Sequence, residues 1–487
     1  MNIKSVIYLD IELVPVQIKD TINVSKYGDI IFKKTKIKDH HHKIFVDENR
    51  IEYTYVDSVE NLEKLIKSIE FSSIDGFLLQ MSSFVVVNKD LFKIFLEKIN
   101  YAPISFVVSE YDVPKGFLKL NKIQTVEFLK TYLINGLQTA MQTVQDSKKF
   151  ERLNLEQFYV DVQSYTDLIK LFQTNFELRY FNSIEKKDNL ITKKSVDKKK
   201  MLAEYSYYGL LADELKLYFL PTFGYTETEN YSTYSLEKLQ VPDVSLQWIH
   251  FSFTDEEFEQ LMNRLFKFLR SRPLKQIAIE ELKNINKLYF YDKVKERFEQ
   301  LKKDAKYASI KNFIHSISSF VEIDELYKIY FDLYEKNEAK ILKLSTLAMS
   351  HGDLCFSNML YDKRIDLLKL IDPKGGTKVD DIFLPSLYDV AKLSHSVMGK
   401  YDFINNALYD FSFDENLKAT LHTHKSRELT SKEDIFIKKL NEHNLDLDTV
   451  RLLECSLFLS MLPLHLDNPK KVTAFILNAN QILNTLK

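Results

Sequence analysis

His351-Gly-Asp-Leu-Cys-Phe-Ser-Asn-Met-Leu360, followed after a strand-like run by Ile371-Asp-Pro373, is the stretch that decides how this chain is read. It sets Asp353, an asparagine five residues on (Asn358) and a second aspartate nineteen residues on (Asp372). Phosphoryl transfer from a nucleotide needs three such groups. One carboxylate orients the acceptor hydroxyl, and an amide oxygen with a second carboxylate holds magnesium against the phosphates. A bare His-Gly-Asp arises by chance, but its combination with Asn358, Asp372, flanking strands and a preceding helical region is specific.

Working outward, residues 244–348 and those after Ile371 carry apolar side chains at helical spacing almost throughout. Upstream, Leu190-Ile-Thr-Lys-Lys-Ser195 reads as a strand reached through the polar turn Glu185-Lys-Lys-Asp-Asn189, and Asp197 can cap a following helix. Tyr218-Phe-Leu220 and Tyr231–Leu236 are further strand candidates. The expected class is α+β: a small mixed β lobe over 165–243, a large helical lobe over 244–487, and an α/β domain over 1–160 in front of them. In that first domain Ser5–Asp10, Gly28–Phe32, Lys43–Asp47, Ile51–Val56, Phe77–Met81, Phe84–Val87 and Ile104–Val108 read as strands. Val59–Ile69, Lys89–Ile99 and 123–147 read as helices, and Tyr165–Phe172 would open the second unit.

Composition narrows the function classes. The chain has 487 residues, with Lys+Arg 67 against Asp+Glu 69, so net charge gives no case for nucleic acid or an anionic membrane as partner. Two cysteines, Cys355 and Cys455, exclude a disulfide framework and suit a cytoplasmic location. No signal peptide is legible at the start, and no run reaches the ~18 uncharged apolar residues of a membrane span. Leu452–Leu466, broken by Glu454, Pro463 and His465, reads as a buried helix. Only 10 glycines occur, and none forms a phosphate-binding Gly-rich loop.

The order and spacing of the opening stretch match the catalytic loop and metal aspartate of protein-kinase-like enzymes, with His-Gly-Asp in place of His-Arg-Asp. The stretch resembles the aminoglycoside phosphotransferase and choline kinase superfamily. More narrowly it is similar to kinase-type proteins of bacterial capsule and surface-polysaccharide gene clusters, through Arg179-Tyr-Phe-Asn-Ser-Ile184, Leu387–Ser396 and Gly399–Ile404. The resemblance covers residues from about 165 to 487. It implies a magnesium- and ATP- (or GTP-) dependent transfer of the γ-phosphate to a small-molecule acceptor, with a product destined for surface polysaccharide. Asp353 would be the base, His351 would hold the loop, and Asn358 and Asp372 would bind Mg2+.

The same resemblance asks for a strand lysine fixed by a helix glutamate. Lys193 and Lys194 are both candidates, but strand neighbours face opposite sides, and the Lys-x-Ser pattern favours Lys193. Glu204 is the candidate partner. Glu237, Lys238 and Leu239 fall at the expected adenine hinge, and the hairpin around Asn182 and Ser183 is placed to cover the phosphates. Asp389 is expected to hold the catalytic-loop backbone.

Other candidates have simpler readings. His40-His41-His42 is expected in a solvated loop, Cys355 as a packed small side chain, and Trp248 in the core. Residues 1–160 resemble a nucleotidyltransferase-like domain joined through Asp161-Val-Gln-Ser-Tyr165. Asp10-Ile-Glu-Leu-Val-Pro15 stands where an active cytidylyltransferase has its Gly-rich basic loop. Two alternatives stay open: a kinase fold that binds without turnover, and a bifunctional nucleotidyltransferase-kinase.

Overall fold

The computed structural model describes residues 3–49, 51–101, 106–110, 113–146, 151–153, 158–173, 182–187, 190–317 and 322–486. The chain forms two compact units, Met1–Glu177 and Leu178–Lys487. The helix Tyr165–Gln173, expected to open the second unit, groups with the first and packs against the helix Val16–Ile22 there.

The first unit is built on a six-stranded sheet in the order Glu52–Val56, Ser5–Leu9, Phe77–Met81, Val113–Leu120, Phe106–Glu110, Glu151–Leu153. Ser5–Leu9 pairs in parallel with both of its neighbours, and every residue of Ser5–Leu9 and Phe77–Met81 is buried. A near-continuous apolar run is what a strand covered on both faces requires. Helices Val59–Phe71 and Lys89–Tyr101 bury Leu62, Ile66, Phe92 and Phe95 in the same core.

Several expectations for this unit are corrected. Lys43–Asp47 is no strand but part of the helix Ile37–Asn49, because Ile37, His41, Ile44 and Phe45 are buried at helical spacing. The histidine run therefore lies in a helix rather than a solvated loop. His41 is fully buried and accepts from the Val86 N–H at 3.2 Å, while His40 Nε2 bonds the Val86 carbonyl at 2.9 Å. Gly28–Phe32 is a single turn at Tyr27–Asp29 followed by the two-residue strand Ile31–Phe32. Asp10 is buried. Its carboxylate accepts from the N–H groups of Tyr27 (3.2 Å) and Gly28 (2.8 Å) and from the Tyr55 hydroxyl (2.8 Å), which occupies it in holding the loop.

The second unit opens with a four-stranded antiparallel sheet in the order Asn182–Lys187, Leu190–Ser195, Ser232–Glu237, Thr222–Glu227. Asn182 and Ser183 sit inside the first strand and not at a turn, with Ser183 opposite Lys194. Arg179, Tyr180, Phe181, Asp188 and Asn189 lie outside the described residues. Asp197 caps the helix Lys198–Leu210, accepting from the Lys200 N–H at 3.1 Å. Tyr218–Leu220 makes one isolated bridge, Phe219 to Leu370, instead of a strand.

Helices dominate from Val244 on, and the buried helix Leu447–Met461 lies at the centre of the largest core. It stops ahead of Pro463. Trp248 is buried and stacks on Phe258, centroids 5.2 Å apart. Among the described residues no helix is long and apolar enough to cross a membrane.

Candidate phosphotransfer site

The strand Leu347–Met349, paired with Leu274–Lys275 and Phe383–Pro385, delivers the chain to His351. Asp389, on the helix Ser386–Val397, accepts from the N–H groups of His351 (2.9 Å) and Gly352 (2.8 Å). Arg272 donates to the same carboxylate at 2.9 Å, in a pair with side chains only 4% and 0% exposed. Asp389 thus fixes the loop backbone. Gly352 has φ +79°, and a Cβ there would lie 2.6 Å from Cβ of Lys374, so the glycine is required by geometry.

His351 is wholly buried and lies against Phe219. Its Nδ1 accepts from the Asp353 N–H at 3.2 Å, and its Nε2 donates to the Ile371 carbonyl at 2.9 Å. Those bonds assign the neutral tautomer. Burial holds its pKa below the ordinary value despite the nearby Asp389 and Asp353 carboxylates. The ring ties the Asp353 loop to the Asp372 loop and holds no mobile proton.

Asp353 is two-fifths exposed and meets Nζ of Lys392 at 2.8 Å through Oδ1. Its Oδ2 accepts from Asn358 Nδ2 at 3.0 Å, and the same amide donates to the Asp353 carbonyl at 2.9 Å. Burial works to raise the carboxyl, but the Lys392 ammonium outweighs it and holds Asp353 down to about 2. Lys392 is correspondingly raised, Asp353 being its strongest favourable neighbour.

A hairpin, Met359–Asp362 with Leu367–Leu370, brings the two remaining groups together. Asn358 precedes its first strand and Asp372 follows its second, and the Ile371 N–H bonds the Asn358 carbonyl at 2.9 Å. Asp372 has φ 56°, a left-handed conformation uncommon for a residue with a side chain, and such residues gather at functional sites.

Across from it, Lys193 reaches in from the sheet. Its ammonium lies 3.1 Å from Glu204 Oε2 and contacts Asp372 Oδ1 directly. Glu204 is buried and also accepts from the Tyr234 hydroxyl at 2.9 Å. Burial opposes the charge on Lys193, yet Asp372, with Tyr234 and Glu204, holds it well above the ordinary lysine value. Lys194 points to the other face and lies 3.7 Å over the Tyr231 ring. A pocket beside this pair is lined by Phe219, Leu220, Tyr234, Leu236, Leu370 and Asp372 among others. Glu237, Lys238 and Leu239 follow Leu236 and do not line it. The side chain of Ser183 lies outside the described residues.

Asn358 and Asp372 offer hard oxygen donors on adjacent backbone. Among the described residues no cluster of three His, Cys, Asp or Glu side chains forms a protein-only metal cage. One carboxylate and one amide oxygen, completed by water and phosphate, is the donor set Mg2+ accepts. Cys355 is buried, which pushes its thiol up, and its Sγ meets Ser357 Oγ at 3.3 Å; it is a packing residue.

Lys392, Arg272 and Tyr234 were not identified from sequence. Lys392 lies three residues after Asp389 on one helix, but a lysine at that spacing carries no signature. Arg272 meets Asp389 across 117 residues.

No family model matches the sequence, and no curated protein matches it. Solved structures do. A thermostable mutant of the aminoglycoside phosphotransferase APH(4)-Ia in its apo form is similar at 10% identity and TM-score 0.38, over 62% of this chain and 94% of that one. Another mutant of that protein, in a ternary complex with AMP-PNP and hygromycin B, is similar at 10% identity and TM-score 0.38, over 65% and 98%. An aminoglycoside-3'-phosphotransferase of type VIII is similar at 13% identity and TM-score 0.31, over 61% and 99%. Likeness at that level adds nothing to what the side chains themselves say.

Proposed function

We propose that the second unit is a phosphotransferase that moves the γ-phosphate of a nucleoside triphosphate to a hydroxyl of a small molecule. The observation that carries this reading is the meeting of Lys193 with Asp372 across 179 residues. It joins a phosphate-seeking cation, fixed by Glu204, to a carboxylate beside Asn358. Lys193 would hold the phosphates, and Asn358 and Asp372 would hold Mg2+. The ion, when bound, would neutralise charge on the phosphates.

Asp353 orients the attacking hydroxyl. As the acceptor oxygen bonds to the γ-phosphorus, the bridging P–O bond breaks and the nucleoside diphosphate leaves. The hydroxyl proton passes by way of Asp353 to solvent. A carboxylate held near 2 is a weak base, so its work is alignment, and alignment with charge stabilisation dominates this chemistry. The pocket bordered by Phe219, Leu220 and Leu236 supplies the apolar surface a purine would take. Either ATP or GTP fits that description. A place in surface-polysaccharide assembly rests on the sequence resemblance through Leu387–Ser396 and Gly399–Ile404.

Calorimetric titration with MgATP and MgGTP tests the reading. Binding by the natural chain and its loss in Asp372→Ala are expected. Failure of the natural chain to bind either nucleotide overturns it.

A further inference from the structure

Next to Asp353 lies a contiguous group of cations and phenols that the reading above leaves unused. Tyr388 lies one helical turn before Lys392, and its hydroxyl accepts from Lys293 Nζ at 3.1 Å. Tyr289 packs edge-on against Tyr388, centroids 5.3 Å apart at 73°. Lys374, two residues beyond Asp372, donates to the Tyr289 hydroxyl at 2.6 Å and lies 4.3 Å from its ring centroid. The group therefore runs from Asp353 through Lys392, Tyr388, Lys293 and Tyr289 to Lys374.

Its charge is unbalanced. Lys392 is paired with Asp353, but among the described residues Lys293 and Lys374 meet only phenols and no carboxylate. On Tyr388 burial acts upward, yet Lys392 and Lys293 outweigh it and lower the phenol. That shift reports the positive field of Lys392 and Lys293. Lys374 is exposed, and Lys293 and Tyr289 are half-buried, so a solute reaches them. Two lysines held by neutral partners keep their charge available to a ligand, and a carboxylate or phosphate is the ligand that two ammoniums and a phenol hydroxyl hold.

Resting on the phosphotransferase reading, we propose that the acceptor is an anionic alcohol, whose carboxylate or phosphate is held by Lys293 and Lys374 while its hydroxyl lies at Asp353. A polycationic aminoglycoside is disfavoured there by the same charges.

The test titrates the full chain, loaded with Mg2+ and AMP-PNP, with acceptor pairs that differ in the anion. The pairs are glycerol and glycerol 3-phosphate, ribose and ribose 5-phosphate, and glucose and glucuronate, with hygromycin B as the cationic arm. At least one anionic member should bind at least tenfold tighter than its neutral partner. The double variant Lys293→Met, Lys374→Met should lose that preference and Lys293→Arg, Lys374→Arg should keep it, with melting temperatures confirming that both fold. Binding of a neutral member or hygromycin B as tight as any anion, no anion bound at all, or preference retained in the methionine variant overturns the proposal. If AMP-PNP binds in the same titration, the phosphotransferase reading survives that failure. If AMP-PNP does not bind, both fall.

Discussion

Nζ of Lys392 lies 2.8 Å from Oδ1 of Asp353, and the Asn358 amide holds the other oxygen of the same carboxylate at 3.0 Å. The residue proposed to orient the acceptor is therefore held from both sides, one partner a cation. The Lys392 ammonium favours its ionised form, and its direction is set before any substrate arrives.

Removing that cation should shift the pH profile. In the natural chain Asp353 is held down to about 2, so it gives no acid limb at any pH above about 4. In Lys392→Met burial has no counter-ion, the pKa rises, and kcat/KM should fall as pH drops through the new value. At neutral pH the loss should be about 100-fold. The depressed pKa also stabilises the fold above the unfolded value of 3.8, a contribution lost as pH falls towards about 2. A pH–rate profile of Lys392→Met that superimposes on the natural one contradicts this role.

Lys193→Met should lower kcat/KM for the nucleotide about 100- to 1,000-fold, the usual effect of removing one charge from phosphoryl-group stabilisation. Lys194→Met should stay within about twofold, because that side chain lies over Tyr231 on the opposite face. Steady-state kinetics on both variants separate the neighbours.

Gly375→Ala should unfold the seam between the Asp372 loop and the Glu204 helix. Gly375 has φ +78°, and a Cβ there would lie 2.5 Å from backbone atoms of Ala203. The neighbouring Gly376 N–H bonds the Ala203 carbonyl at 3.1 Å. Strain plus backbone overlap should cost about 2 kcal/mol or more. Urea unfolding reads it directly.

Asp389→Ala leaves Arg272 buried without its carboxylate and frees two loop N–H groups. Breaking such a pair from one side costs about 3–5 kcal/mol. The chemical denaturation midpoint should fall accordingly, with His351 and Asp353 losing their fixed loop.

The candidate site was legible where its geometry is local in sequence. Asp353, Asn358 and Asp372 fall within one loop and one hairpin, so spacing alone places them on adjacent backbone. Lys193 and Glu204 are a strand and the next helix, where alternation chooses between two lysines. Lys392 and Arg272 were hidden because the contacts that matter join separate elements and no spacing marks them. In the first unit, Lys43–Asp47 misleads because a short apolar run suits either period. Val113–Leu120 is masked by Pro114, Lys115 and Gly116 within it.

Transfer itself is read by 31P NMR of the full chain with MgATP and the panel of anionic and neutral alcohols. The γ-phosphate resonance should decay into a new phosphate-ester signal, and Asp353→Asn should remove that signal while still binding nucleotide. An ester that forms equally in Asp353→Asn, or no ester from any member of the panel, would contradict it.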